Sequence, residues 1–195
     1  MPKASAIFDT LYIIKQTKMQ CSGLSVSELN FLSYFACLLS LYHGHPVSDW
    51  GYEFLSSELG APISADIFDS CQMLNNKGEL IKQEIVFNIT LQGENRLNFF
   101  LGLEEFKSRT LYLDAACNCL LIDSILNVQS TISRDAIITE SSVHKLKYLN
   151  NADNSAISML YQQFGVIKKA IGNRTNLFIP ATSWLLYLRQ NQEAL

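Results

Sequence analysis

The sequence predicts an α+β fold that is mainly α, with one early strand ribbon and only helices after it. Three observations carry this. Apolar residues recur at i, i+3, i+4 and i+7 through most of the chain. One stretch, Glu79–Ile89, is instead rich in β-branched and apolar residues, as strands are. Hydroxyl residues precede the periodic segments and glycines follow them, marking helix starts and stops.

The elements follow in order. Ala4 to about Lys18 reads as a helix on the stripe Ile7, Phe8, Leu11, Tyr12, Ile14 and Lys15. Ser25-Val26-Ser27-Glu28 has the form of a capping box, a hydroxyl N-cap with a carboxylate three residues on. The helix it opens runs through Leu29, Phe31, Leu32, Phe35, Leu38 and Tyr42 to Gly44. It is apolar nearly all round and should be central. Asp49–Leu59 and Ala65–Lys77 read as two short helices joined by a Gly-Ala-Pro turn, with Ile67, Phe68, Cys71 and Leu74 facing inward on the second. The strand ribbon Glu79–Ile89 comes next. Thr90 then caps a helix that continues through Phe106.

Helix pair, ribbon and strand-to-helix exit at Ile89-Thr90-Leu91-Gln92-Gly93 stand in winged-helix order. The N-terminal part, residues 1–107, therefore reads as a winged-helix-like module. Residues 108–195 read as a C-terminal helical bundle: Arg109–Asn127, Arg134–Asn150 capped by Ser133, Ser155–Ile171 opened by Asp153 and closed by Gly172, and about Ala181–Gln192. The boundary is expected near Phe106–Ser108.

The chain has 195 residues with 48% hydrophobic and 17% charged. The usual charged share is about 25%. Together with a mean hydropathy of +0.11, this excludes a disordered chain and points to apolar surface that a partner covers. The most apolar stretch, Leu29–Tyr42, is too short for a bilayer span, which takes about 20 residues. No basic, apolar and small-residue leader pattern opens the chain. Five cysteines, an odd number set in apolar patterns, fit free thiols in a reducing compartment. The expected location is cytoplasmic.

Catalysis is not expected. His43 and His45 flank a helix-ending glycine, where imidazoles suit the C-terminal dipole. Asp114 and Asp123 lie 2.5 turns apart on one helix and face opposite ways. Cys117 and Cys119 are i and i+2, on different helix faces, with no second ligand pair. No phosphate loop or nucleophile elbow occurs. No cofactor and no metal are expected.

Charge divides unevenly. Residues 1–107 hold seven Lys/Arg and twelve Asp/Glu, net −5; residues 108–195 hold eight and six, net +2. The winged-helix half is thus the acidic half, which opposes phosphate binding. The second short helix carries Asp66 and Asp69, with Lys77 only at its far end. If DNA is touched, Lys145, Lys147, Lys168, Lys169 and Arg174 are the candidates, against the plainer reading of a solvated helix face. Trp50, Tyr52, Phe54, Trp184 and Tyr187 are candidates for a protein interface, against the plainer reading of core aromatics.

Two stretches carry a family resemblance. Gly44-His45-Pro46-Val47-Ser48-Asp49-Trp50-Gly51-Tyr52-Glu53-Phe54 resembles a helix-start signature of the middle components of three-component ABC-type antiphage systems, including the Lamassu type. Asn176-Leu177-Phe178-Ile179-Pro180-Ala181-Thr182-Ser183-Trp184-Leu185-Leu186-Tyr187-Leu188 is similar to the Pro-then-Trp helix near their C-termini. The resemblance implies a non-catalytic bridging subunit. Its partners would be an SMC-like ATPase and an effector such as a nuclease. The rival reading from the residues is a winged-helix DNA-binding transcription regulator.

Overall fold

The computed structural model describes residues 1–57, 60–142, 148–150, 155–172 and 176–190. It is mainly helical with two small antiparallel sheets. Helix α1 (Ala4–Gln16) is buried without a break from Ala6 to Ile14 and packs against later helices on several sides. Strand β1 (Leu24–Ser25) leads into α2 (Val26–Leu39). The expected capping box is formed there: Ser25 Oγ accepts from Glu28 N, and Ser25 N donates to a Glu28 carboxylate oxygen at 2.7 Å. Every residue from Leu29 to Leu39 is buried, and α2 touches α1 and helices from both ends of the chain, the central place its pattern predicts. A 3-10 turn, Ser40–His43, ends at Gly44 in the left-handed region.

The helix expected over Asp49–Leu59 does not form through its described residues; Glu58 and Leu59 lie outside them. A 3-10 turn, Val47–Trp50, stops at Gly51 with φ 95°. The chain then runs extended into β2 (Leu55–Ser56), which pairs antiparallel with β3 (Pro62–Ile63). The reason lies in the periodicity. Trp50, Tyr52, Phe54 and Ser56 are buried, while Gly51 and Glu53 are exposed. That is the period of two of an extended chain, not 3.6.

Helix α3 (Ala65–Asn76) follows. It packs Ile67, Ser70, Cys71 and Leu74 inward. Strands β4 (Leu80–Gln83) and β5 (Val86–Ile89) form a tight hairpin, and β1 adds on the far side of β5, giving the order β1-β5-β4. Thr90 caps α4 (Leu91–Leu101) through Gly93 N. Here Gly93 is a packing requirement: a Cβ would lie 2.1 Å from the Glu79 carbonyl oxygen.

The expected continuation to Phe106 is interrupted at Gly102-Leu103. Helix α5 (Glu104–Asn118) begins after it and runs across the boundary expected near residues 106–108. Side chains from both sides of that boundary join one core. The single helix expected over Arg109–Asn127 is also broken. After α5 come a 3-10 turn, Cys119–Leu121, and then α6 (Ile125–Ile132). Asp123 and Ser124 make the break: Ser124 Oγ accepts from Asn127 N, and Asp123 Oδ1 accepts from Ser124 N and Asn127 Nδ2. Ser133 ends α6 instead of opening the next helix, and α7 (Ala136–Ser142) starts after buried Asp135. Tyr148–Asn150 are not helical. Tyr148 bridges to Leu55, and Leu149 N donates to Phe54 O. Helix α8 (Ser155–Ile171) agrees with expectation, and α9 (Phe178–Gln190) begins three residues before the expected Ala181.

Candidate protein interface

The aromatic residues between Val47 and β2 belong to the core of this chain. Trp50, Tyr52 and Phe54 are 3%, 4% and 0% exposed. They therefore offer no free surface to a partner, which corrects their reading as interface anchors. They close over an ion pair between α1 and α5. Arg109 donates from Nε and Nη2 to the two oxygens of Asp9 at 2.6 and 2.7 Å. Tyr52 donates its hydroxyl to Asp9 Oδ2 at 2.6 Å. The Arg109 guanidinium lies 3.7 Å from the centroid of the Trp50 ring. Two opposite charges, a hydroxyl donor and an aromatic face thus satisfy one another away from water. Asn150 locks the loop from the other side. It accepts from Phe54 N at 2.9 Å and donates to Tyr52 O at 2.9 Å.

Trp184 is core as well. It is fully buried, stacks on Phe35 of α2, packs at a tilt against Phe164 of α8, and donates Nε1 to Gln163. Tyr187 differs. It is 40% exposed and lines a groove between α8 and α9 with Met159, Val166 and Ile167. Lys168 is half-buried, with its ammonium 5.5 Å from the Tyr42 ring and 3.4 Å from Tyr42 O. Lys169 is exposed. Lys145, Lys147 and Arg174 lie outside the described residues. The expected cationic cluster is therefore represented here by two adjacent α8 lysines, one of them held by Tyr42.

The surface missed by sequence reading is on α3. Phe68, expected inside, is 49% exposed. Ala65, Phe68, Asp69, Gln72 and Asn76 form one solvent-facing stripe at helical spacing. None of the five is a cation. On the neighbouring strand β3 and on the β4–β5 hairpin, Ile63, Ile81 and Ile85 are 41%, 50% and 72% exposed. The signal was available: Ile67, Cys71 and Leu74 already complete an inner face, and Phe68 falls off it.

Burial pushes the Cys71 and Cys119 thiols up to about 12 and raises those of Cys37 and Cys117 further. Asp114 accepts from the Tyr12 hydroxyl, and Asp123 pairs with Arg189, so each is tied into the fold. Among the described residues, no group of three or more His, Cys, Asp or Glu could hold a metal ion. No described helix is long and apolar enough to cross a membrane. Compared with protein-family models, curated proteins and solved structures, the chain matches none.

Proposed function

We propose that this chain is a non-catalytic, protein-binding subunit that bridges an SMC-like ATPase and an effector such as a nuclease in a cytoplasmic antiphage complex. The observation that carries the reading is the α3 stripe. The order α1, β1, α2, α3, β4, β5 with sheet order β1-β5-β4 is compatible with a winged helix carrying an insertion between its second and third helices. In DNA-reading members of such folds, the third helix offers Arg, Lys, Asn or Gln to bases and phosphates. Here the exposed stripe begins with Ala65, Phe68 and Asp69, carries Gln72 and Asn76 only in its second half and holds no cation, and the hairpin tip offers Glu84 and Ile85. An exposed apolar group with an acidic neighbour suits a protein surface and repels phosphate.

The test is co-purification. The tagged chain is expressed with a candidate SMC-like ATPase from its own source, and the Phe68→Arg variant is expressed in parallel. The wild type is expected to elute with the ATPase, and the variant to elute alone with an unchanged melting temperature. No complex with the wild type overturns the reading. Binding of a specific duplex at nanomolar Kd in physiological salt would instead establish the transcription regulator.

A further inference from the structure

Every fully exposed residue of α4 is uncharged: Leu91, Gln92, Asn95, Asn98 and Phe99. The solvent face of a surface helix is ordinarily charged or polar. Here it carries two large apolar side chains, Leu91 at 76% and Phe99 at 67% exposed. The charges α4 does have are held within the chain. Lys15 holds Glu94 at 2.7 Å, and Glu79 holds Arg96 at 2.9 Å. Beside Phe99 the surface sinks into a depression of about 670 Å³, walled by Met1, Pro2, Ala4, Ile7 and Phe100 and lined also by Asn95 and the Arg96–Glu79 pair.

The exposed residues are arranged symmetrically about Asn95. Four positions to either side stand Leu91 and Phe99, both apolar. Three positions to either side stand Gln92 and Asn98, both amides. A face that reads alike from both ends matches a second copy of itself running antiparallel. Across a two-fold axis, a residue on the axis meets its own counterpart, and every other contact occurs twice. A group that faces itself must both donate and accept, as an amide does. A carboxylate or an ammonium would meet its like, and α4 exposes neither.

We infer that α4 is the contact face of a homodimer and crosses its copy antiparallel, with the two-fold axis at Asn95. Leu91, Asn95 and Phe99 form one ridge at i, i+4 and i+8. Such ridges align when two helices cross at about 50°. In that crossing Leu91 of each copy meets Phe99 of the other, at the rim of the depression. Asn95 pairs with Asn95 on the axis, and Gln92 and Asn98 each lie beside their own counterparts. A helix of 11 residues offers a small interface. The dimer is therefore at the weak, micromolar end of the range.

Sedimentation of the full chain from about 1 to 500 µM tests this, a span that brackets a micromolar Kd. The mass is expected to rise from 22.0 kDa toward twice that value. Asn95→Asp and Asn95→Lys, both at an exposed position, set like charges against each other on the axis. Each is expected to weaken dimerisation at least about tenfold, with the melting temperature of the dilute protein unchanged. Mixing the two variants is expected to restore a dimer at least as tight as wild type, because opposite charges then meet. A monomer throughout the range overturns the inference. A dimer indifferent to both substitutions lies on another face and overturns it as well. Weakened variants that do not rescue each other on mixing overturn the two-fold at Asn95.

Discussion

Tyr34 of α2 donates its hydroxyl to Asp135 Oδ2 at 2.9 Å, 101 residues away, and both side chains are fully buried. The bond fixes the entry of α7 against the central helix. Burial pushes the Asp135 carboxyl up to about 6; the Tyr34 hydroxyl and the first N–H groups of α7 pull it down, but less.

This pair makes stability depend on pH. The folded carboxyl keeps its proton at pH values where the unfolded one, near 3.8, has lost it. Asp135 therefore costs nothing below that value, and stability falls as pH rises toward 6. The loss is on the order of 3 kcal/mol, at 1.36 kcal/mol per unit. Urea melts at pH 4.5 and 7 should show the decline in wild type and a flatter profile in Asp135→Asn. Equal slopes in the two proteins would remove Asp135 as the cause.

Breaking the Asp9–Arg109 pair should be costly in either direction. Asp9→Asn leaves a cation buried against Trp50, and Arg109→Gln leaves a buried carboxylate facing Tyr52. Each is expected to destabilise by about 3 kcal/mol, because an unpaired buried charge remains. The double variant should lose less than the sum of the two. Additive losses in a double-mutant cycle would show that the two groups do not act as a pair.

Gly93→Ala should be the most damaging glycine substitution in the hairpin region. Its methyl would meet Glu79 O at 2.1 Å and Ile89 Cγ1 at 2.9 Å. The Glu79 backbone cannot yield freely, since its carboxylate is held by Arg96 and its carbonyl by Thr90. A loss of about 3 kcal/mol is expected, the upper range of overpacking. Gly51→Ala is a different case. Its strain is a φ of 95° plus Ser5 Oγ at 2.8 Å, so Ser5→Ala should restore part of the loss. Thermal melts of the three variants decide both points, and a Gly93→Ala protein as stable as wild type would refute the close approach.

Thiol reactivity should separate one cysteine from four. Cys21 is partly exposed, although burial and Glu28 raise its thiol as well; Cys37, Cys71, Cys117 and Cys119 are buried and held above the ordinary thiol range. Brief alkylation of the native protein at pH 8 should label Cys21 alone, and denaturant should expose all five. Mass spectrometry reads the result. Rapid labelling of Cys37 would mean that the inserted loop opens.

Local signals were legible in the sequence. The capping box at Ser25–Glu28, the cap at Thr90 and the strand pairing of 80–89 each depend on residues a few positions apart. The Trp50–Phe54 segment lies between helix-like caps that suggest a helix, although its alternation has period two. The break at Asp123-Ser124 was hidden by apolar neighbours on both sides. The ion pair Asp9–Arg109 could not be read at all, because its partners are 100 residues apart and only the packing of α1 on α5 joins them. For the same reason, burial of the aromatics depends on which faces the helices leave uncovered, whereas Phe68 already falls off the inner face that Ile67, Cys71 and Leu74 complete.

Asn150 closes the loop that begins at Val47 and does so from 96 residues beyond Phe54. On a ribosome adding about 5–20 residues per second, those residues take roughly 5 to 20 s to appear. Throughout that interval, the Phe54 amide and the Tyr52 carbonyl wait for their partner. Trp50, Tyr52 and Phe54 reach their final places only when most of the chain has been made. Until then, the nascent protein shows these three aromatic side chains to whatever chaperone or subunit stands nearby.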